Sequence, residues 1–196
     1  MIAQHFYISP EDYLEAERVS PIKHEYRRGY VYAMAGAKKP YVVLSSNLSR
    51  LLGNHLDSTP CLVMASDIKV RLETADCYYY PDVVVTCHPE DLTTTEDFIR
   101  YPKLIIEVLS KSTANFDSTE KFADYQTCST LEDYVLVSQT QQQIVHYTLK
   151  DGVWLRQEVT DREGIERSGF LYLPSVDREL TLPDIYRKVP GFEQKC

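Results

Sequence analysis

The chain lacks the short motifs that mark several large classes of enzyme. Its 196 residues contain no G-x-S-x-G sequence, no phosphate-binding P-loop and no G-x-G-x-x-G sequence. Serine hydrolases of the nucleophile-elbow type, P-loop nucleotidases and dinucleotide-binding enzymes carry these motifs, so the three classes are disfavoured. The five histidines show no metal-ligand spacing such as H-x-x-x-H, and a histidine-based metal site is therefore not indicated.

Cysteine is scarce, and long apolar runs are missing. There are five cysteines, an odd number, and no C-x-x-C pair, so a disulfide framework or a zinc ribbon is not expected. Reduced thiols in the cytoplasm are the simplest interpretation. The N-terminus shows neither a cleavable signal nor a long apolar stretch, which disfavours export and membrane spanning.

Basic residues are fewer than acidic residues. Lysine and arginine number 21 against 29 acidic residues, and the formal net charge is -8. Proteins that coat nucleic acid non-specifically are usually basic, so that class is disfavoured. Short basic strips could still meet a phosphate backbone, although a solvated surface is the simpler interpretation for them: Arg27-Arg28, Lys38-Lys39, and Lys69 with Arg71.

What is present is a mixture of helical and strand patterns on a chain of one-domain length. With 43% hydrophobic and 26% charged residues, residues 1–196 are expected to form one globular domain. Ser9-Pro10-Glu11-Asp12 is typical of a helix start. Further helices are predicted over 40–55 and 117–127, the latter from a capping-box-like pair of Asp117 and Glu120, and one or two helical turns over 181–186.

Strands are predicted between these helices from alternation and β-branched content. They cover 23–26, 30–34, 61–64, 67–72, 78–86, 104–109 and 134–137, followed by a hairpin of 144–149 and 153–159, while 88–100 is predicted to be a loop. The mixture indicates an α/β or α+β layered domain, with a sheet around residues 61–109 covered by helices.

Two carboxylates interrupt apolar strands. Alternation along 104–109 places Glu107 on the same face as Ile105 and Leu109, where a charge is costly unless it is paired or bound to a metal. Asp82 follows Pro81 at the start of another apolar stretch. Pairing of Glu107 with a buried cation, and a simple strand start at Asp82, are the alternatives. Two oxygen ligands on neighbouring strands suit Mg²⁺ or Mn²⁺ better than zinc.

Lys121 is the third candidate. It lies in the first turn of the predicted helix, with Asp117 four residues before it and Tyr125 four residues after it. One interpretation is a surface ion pair with Asp117. The other is a lysine directed at the metal site, where it would orient water and stabilise charge that develops on a phosphate.

These residues carry a family resemblance. The segments Tyr80–Val85 and Pro102–Ser110, followed by Asp117, Lys121 and Tyr125, resemble the PD-(D/E)XK phosphodiesterase superfamily. Within it, residues 8–187 resemble a family of predicted restriction endonucleases first catalogued as a domain of unknown function. The resemblance implies a restriction endonuclease-like core, in which a central mixed β-sheet is flanked by helices, with an additional C-terminal β-hairpin.

The resemblance also implies roles for individual residues. Asp82 and Glu107 would hold one Mg²⁺ or Mn²⁺, with Glu25 as an additional acid and the Val108 carbonyl as a further ligand, and Lys121 would be catalytic. Tyr125 or Ser110 would hydrogen-bond around Lys121, although core or capping roles are the simpler interpretation for both.

Two positions depart from the pattern. Leu109 stands where the superfamily has its lysine, so that role moves to Lys121 in the following helix. Tyr41 stands where relatives commonly carry a histidine.

The implied function is that of a Mg²⁺-dependent DNA endonuclease acting as a homodimer. Two alternatives stay open at this point. One is a non-catalytic nucleic-acid-binding or regulatory module on the same fold, and the other is a metal-dependent hydrolase of smaller phosphodiesters.

Overall fold

In a computed structural model, the described part of the chain contains two mixed sheets, a separate two-stranded sheet and six short to medium α-helices. The structure describes residues 7–34, 36–110, 113–161 and 169–192. The helices are α1 Pro10–Val19, α2 Lys39–Leu56, α3 Pro89–Thr93, α4 Ala114–Ser118, α5 Glu120–Tyr125 and α6 Leu182–Ile185. The strands are β1 His24–Arg27, β2 Tyr30–Ala33, β3 Leu62–Ala65, β4 Lys69–Leu72, β5 Cys77–Tyr79, β6 Val83–Thr86, β7 Phe98–Ile99, β8 Leu104–Leu109, β9 Asp133–Ser138, β10 Gln143–Lys150, β11 Val153–Thr160, β12 Phe170–Leu173 and β13 Arg178–Thr181.

The larger sheet has six strands in the order β11-β10-β9-β8-β6-β3. Strands β8 and β9 run parallel, whereas β6 and β8 run antiparallel. One face packs on α2, and the other packs on α5. The smaller sheet has the order β2-β1-β5-β4-β7, and β12 pairs with β13 as a C-terminal hairpin. The predicted fold class, a mixed sheet flanked by helices, is confirmed.

Local chemistry explains the elements that the sequence predicted well. The Ser9 side chain accepts a hydrogen bond from the Asp12 N–H at 3.1 Å and so caps α1. Four leucines spaced four residues apart on α2 are buried, because this spacing keeps them on one helix face: Leu44, Leu48, Leu52 and Leu56. Strand β8 is buried on both faces along nearly its whole length, as expected for a central strand.

The predicted strand over 78–86 is wrong in one respect, since it is two strands in two different sheets. β5 belongs to the five-stranded sheet and β6 to the six-stranded sheet. Pro81, which has no N–H to donate to a ladder, lies in the break between them. The chain therefore crosses from one sheet to the other at Asp82, which places this carboxylate where the two sheets meet.

Two further predictions of local structure need correction. The helix predicted over 117–127 is two helices, α4 and α5, separated at Thr119 with φ -123° and ψ -87°. Asp117 is buried inside α4 and does not act as a cap, because its side chain turns towards Lys121. The predicted loop 88–100 contains α3 and β7. Buried Asp91 holds it in shape by accepting hydrogen bonds from the Arg100 and Tyr101 N–H groups, both at 3.0 Å.

The expectation of fully reduced cysteines is wrong for one pair. Cys61 and Cys87 form a disulfide. Because Leu62 pairs with Thr86 in the β3–β6 ladder, the two cysteines lie opposite each other one position further along. Cys77 and Cys128 are free, and Cys196 lies outside the described residues. Within the described ranges, no helix is both long and apolar enough to cross a membrane.

Candidate active site

Asp82 and Glu107 stand side by side at one end of the β6–β8 ladder. The ladder pairs Val83 with Ile106, so the residue before Val83 and the residue after Ile106 face each other. The Val108 N–H donates a hydrogen bond to Asp82 Oδ2 at 2.5 Å. Both acids are buried, with 5% and 4% exposure, and two carboxylates from adjacent strands are thereby brought together.

Lys121 reaches the same place from α5. Alternation along β8 turns Glu107 towards the face that packs on α5, the face that also carries Ile105. The Lys121 Nζ atom lies 2.9 Å from Glu107 Oε1 and 3.8 Å from Asp117 Oδ1. The ion pair between Asp117 and Lys121 therefore forms inside the protein and not on its surface, with 7% and 5% side-chain exposure.

Glu25 joins the cluster from the other sheet. Its Oε1 atom accepts hydrogen bonds from Lys121 Nζ at 3.0 Å and from the Tyr80 N–H at 3.2 Å. The neighbouring His24 pairs with Glu17 at 2.9 Å, since consecutive residues of a strand point to opposite faces. One ammonium group thus contacts three carboxylates, from β1, β8 and α4.

A second ionic cluster fastens α5 to the smaller sheet, and sequence reasoning missed it. Buried Asp124 on α5 binds Arg27 Nε at 2.7 Å, an Arg28 guanidinium nitrogen at 2.6 Å and the Tyr79 hydroxyl at 2.6 Å. Asp124 lies three residues after Lys121, so these bonds hold the helix turn that carries Lys121. The signal in the sequence was the Arg27-Arg28 strip, which we interpreted as a solvated surface.

Two tyrosines complete the site. The Tyr41 hydroxyl donates to Asp82 Oδ1, which places the residue at the atypical family position in direct contact with a predicted metal ligand. The Tyr125 hydroxyl is buried and has no hydrogen-bond partner among the described residues. Ser110, by contrast, bonds to Thr113, with the Thr113 N–H 3.1 Å from its Oγ atom, which is a capping role.

Burial and neighbouring acids raise the pKa values of Asp82 and Glu107. Burial raises the pKa of Asp82 to about 7, with Asp117 and Glu25 adding to the rise and the Val108 N–H and Lys121 opposing it. Burial raises the pKa of Glu107 well above its usual range, and Asp82 raises it further. Burial tends to lower the pKa of Lys121, but Glu107 and Glu25 raise it well above its ordinary value, so it is an ammonium.

The chemical type of the available donor atoms suits a hard divalent cation. The available ligands are carboxylate oxygens, the type that Mg²⁺ and Mn²⁺ prefer. Glu107 Oε1 is buried and has no hydrogen bond, only the ion pair with Lys121. Among the described residues, no three histidine, cysteine, aspartate or glutamate side chains form a ready group that could hold a metal. Lys121 supplies the positive charge of the cluster in this arrangement.

A different buried acid lies away from this site. Asp133, at the start of β9, binds His146 Nε2 at 2.6 Å through one oxygen and the Ser175 N–H at 2.9 Å through the other. Burial tends to raise the pKa of Asp133, but hydrogen bonds from His146 and Ser175 lower it below its usual value. The three residues connect β9, β10 and the segment after β12, and no local sequence pattern indicates this contact.

The chain belongs to the Uma2 family. Residues 10–181 match this family, whose description reads "Putative restriction endonuclease". The predicted family resemblance is therefore confirmed, and the chain is a member of a nuclease-like family.

The chain is also similar to two proteins of known sequence and to one solved structure. "Uncharacterized protein slr1290" of Synechocystis is 41% identical over 86% of this chain and 90% of its own length. "Uncharacterized protein sll1609" of the same organism is 32% identical over 78% of this chain and 87% of its own length. A crystal structure from Anabaena variabilis, described as "a putative nuclease belonging to DUF820", matches with a TM-score of 0.72 at 14% identity. It covers 91% of this chain and 97% of that protein, and at this identity it supports the fold alone.

Proposed function

We propose that this protein is a Mg²⁺- or Mn²⁺-dependent endonuclease that hydrolyses phosphodiester bonds in DNA. The observation that supports this most is the Lys121 ammonium, which lies 2.9 Å from Glu107 and 3.0 Å from Glu25 next to Asp82. Metal-assisted phosphodiester cleavage needs acids that can hold the cation, and a nearby lysine can stabilise the charge that develops on the phosphate. Membership of a nuclease-like family supports the same chemistry.

In this proposal Asp82 and Glu107 hold the cation, with the Val108 carbonyl as a further ligand. When bound, the cation would acidify a water molecule and polarise the scissile phosphate. Lys121 stabilises the negative charge that builds up on the phosphate as the water oxygen bonds to phosphorus and a P–O bond breaks. Glu25 keeps the Lys121 ammonium in place through its 3.0 Å contact.

Nicking of supercoiled plasmid DNA in Mg²⁺ or Mn²⁺ tests the proposal. We expect wild-type protein to nick the plasmid, and Glu107→Gln and Lys121→Met to nick at least about 100-fold more slowly, the usual loss when a charge-stabilising group is removed. Lys103→Met is the matched control, because Lys103 pairs with Glu132 at 2.7 Å outside the site. It should leave the rate unchanged.

Two outcomes would contradict the proposal. Equal nicking by all four proteins would identify a contaminating nuclease. No nicking by the wild type in either metal would favour the non-catalytic module or a hydrolase of smaller phosphodiesters.

We further propose a homodimer, because two copies of one site can cut both strands of a duplex. Analytical ultracentrifugation with and without DNA measures this directly. A species of twice the chain mass is expected, and a monomer under both conditions would exclude a stable pair.

A further inference from the structure

The β1–β2 hairpin presents two exposed aromatic rings next to the candidate active site. Tyr30 is 47% exposed and Tyr32 is 53% exposed. They lie two residues apart on β2, so their side chains share one face of the sheet. Their ring centroids are 6.5 Å apart and the ring planes differ by 34°, which makes a tilted pair with accessible ring surface.

Strand register shows which face carries these rings. Tyr32 pairs with Glu25 and Tyr30 pairs with Arg27 across the β1–β2 ladder, and directly opposite residues project to the same side. Glu25 contacts Lys121, and Arg27 binds Asp124 on the same helix. The two rings therefore lie on the face of the smaller sheet that carries Glu25. Tyr32 is the direct cross-strand partner of Glu25.

The other face of the hairpin is already occupied. Tyr26 is fully buried there and stacks on Tyr13 with centroids 5.3 Å apart. Val31, between the two exposed tyrosines, packs into the same cluster. The exposure of Tyr30 and Tyr32 thus does not follow from a poorly packed hairpin, since the residue between them is directed into the core.

The charge around the rings favours binding of DNA through its bases over binding through its phosphates alone. The chain carries a net charge of -8, and Arg27 and Arg28 are bound by Asp124. Lys38 and Lys39 are exposed, and they lie at the start of α2, the helix that brings Tyr41 to Asp82. Two lysines can contact only a few phosphates, whereas aromatic rings bind any base whose flat surface is accessible.

We propose that Tyr30 and Tyr32 form a stacking surface for unpaired bases, which makes single-stranded or locally unpaired DNA the preferred substrate. Lys38 and Lys39 contact the adjoining phosphates, and the strand continues to the cluster of Asp82, Glu107 and Lys121. The path of the DNA strand to the cluster of Asp82, Glu107 and Lys121 rests on the proposed function. Stacking of bases on the two tyrosines does not require cleavage.

Fluorescence anisotropy without a cleavage-supporting metal tests this surface. The probe is a fluorescein-labelled oligonucleotide about 20 nucleotides long, longer than the usual site of one binding fold, as a single strand and as a duplex. We expect the single strand to bind at least about 10-fold more tightly. Replacing both rings, with Tyr30→Ala and Tyr32→Ala, should weaken single-strand binding by about 10-fold or more, the loss typical of base–aromatic stacks.

Two control variants separate stacking from folding or from general loss of a tyrosine. Tyr30→Phe with Tyr32→Phe keeps the rings and should retain binding. Tyr172→Ala removes a tyrosine of similar exposure, 49%, on β12, and should bind as the wild type does. Equal affinity for single strand and duplex, or unchanged binding by the double alanine variant, would overturn the stacking surface.

Plasmid nicking measured on the same proteins keeps the two proposals distinguishable. If the wild type nicks DNA but the double alanine variant binds the single strand as tightly as the wild type does, the stacking surface is overturned and the nuclease proposal stands. Ring-dependent binding by a protein that never nicks DNA would support the stacking surface and count against the nuclease proposal.

Discussion

Two regions of the molecule bury carboxylates on neighbouring strands of the same sheet, at Glu107 on β8 and at Asp133 on β9. The two regions differ in how the negative charge is compensated. Near Asp133 there is one acid, and His146 and the Ser175 N–H bind its two oxygens. At the candidate site, Asp82, Glu107, Glu25 and Asp117 surround a single ammonium group, that of Lys121.

The pKa values follow this difference. Hydrogen bonds lower the pKa of Asp133 below its usual value despite burial, whereas burial and neighbouring acids raise the pKa values of Asp82 and Glu107. Both oxygens of Asp133 have a hydrogen-bond partner, so its charge is compensated and the contact stabilises the fold. At the site several acids surround one ammonium group, and a divalent cation would neutralise such an excess of carboxylates.

The largest expected effect on stability comes from removing the shared cation. Lys121→Met leaves several buried carboxylates without their partner, so the free energy of unfolding at pH 8 should fall by about 3–5 kcal/mol. Urea denaturation measures it. The loss should shrink at pH 5, below the Asp82 pKa of about 7, because Asp82 is then protonated and uncharged. A loss below about 1 kcal/mol at pH 8, similar to that expected for the partly exposed pair in Lys103→Met, would contradict the central role of this ammonium.

Removing the charge of the other region should have an intermediate effect. Asp133→Asn weakens the charge-assisted bond to His146, and the free energy of unfolding should fall by about 1.5–3 kcal/mol. Nicking of plasmid DNA should continue at the wild-type rate at temperatures where the variant is folded. A folded Asp133→Asn protein that cannot nick DNA would show that this acid belongs to the chemistry.

The matched change at the site should act in the opposite direction. Asp82→Asn keeps an oxygen to accept from the Val108 N–H and gains an amide that can donate to the Tyr41 oxygen, but it removes a buried charge. At pH 8 the free energy of unfolding should rise by about 1–2 kcal/mol while nicking is lost, a trade of stability against function. Destabilisation comparable to that of Asp133→Asn would place Asp82 among the structural acids.

The same buried charge predicts a pH dependence of stability. Between the unfolded value of about 3.9 and the folded value of about 7, the folded state holds a proton on Asp82 that the unfolded chain has lost. Stability should therefore fall as pH rises through this window, with Asp82 contributing about 2–3 kcal/mol between pH 5 and pH 8.

Asp133 contributes with the other sign and in another window. Its pKa is lowered, so its stabilisation is present above the unfolded value and is lost as pH falls through the folded value. Asp82→Asn should reduce the slope of stability between pH 5 and pH 8, and Asp133→Asn should not change it. Urea titrations across this range that show the reverse would contradict the assignment of the two acids.

Much of this fold could be predicted because local patterns and tertiary structure agree. The leucines of α2, the buried strand β8 and the hairpin of β10 and β11 each satisfy one periodicity, and the structure keeps it. The break at Pro81 was present in the sequence, but nothing local indicates that the strands on either side join different sheets. The division of the predicted helix at Thr119 is likewise not indicated locally, because neither glycine nor proline marks it.

The site shows the same limit. Alternation predicted the face of Glu107, and the structure places Lys121 and Glu25 on that face. The bonds of Asp124 to Arg27 and Arg28, and of Asp133 to His146, join residues 13 to 97 positions apart. Charged residues in one sequence give no indication of which distant partner they meet, so these clusters became visible only in three dimensions.

Mn²⁺ binding measured by isothermal titration calorimetry at pH 8 tests the central comparison most directly, with wild type, Asp82→Asn and Asp133→Asn as the three samples. If the crowded acids form the metal site, the wild type and Asp133→Asn each bind Mn²⁺ with similar affinity, and Asp82→Asn shows no binding at that site. Equal binding by all three proteins, or a loss confined to Asp133→Asn, would contradict it.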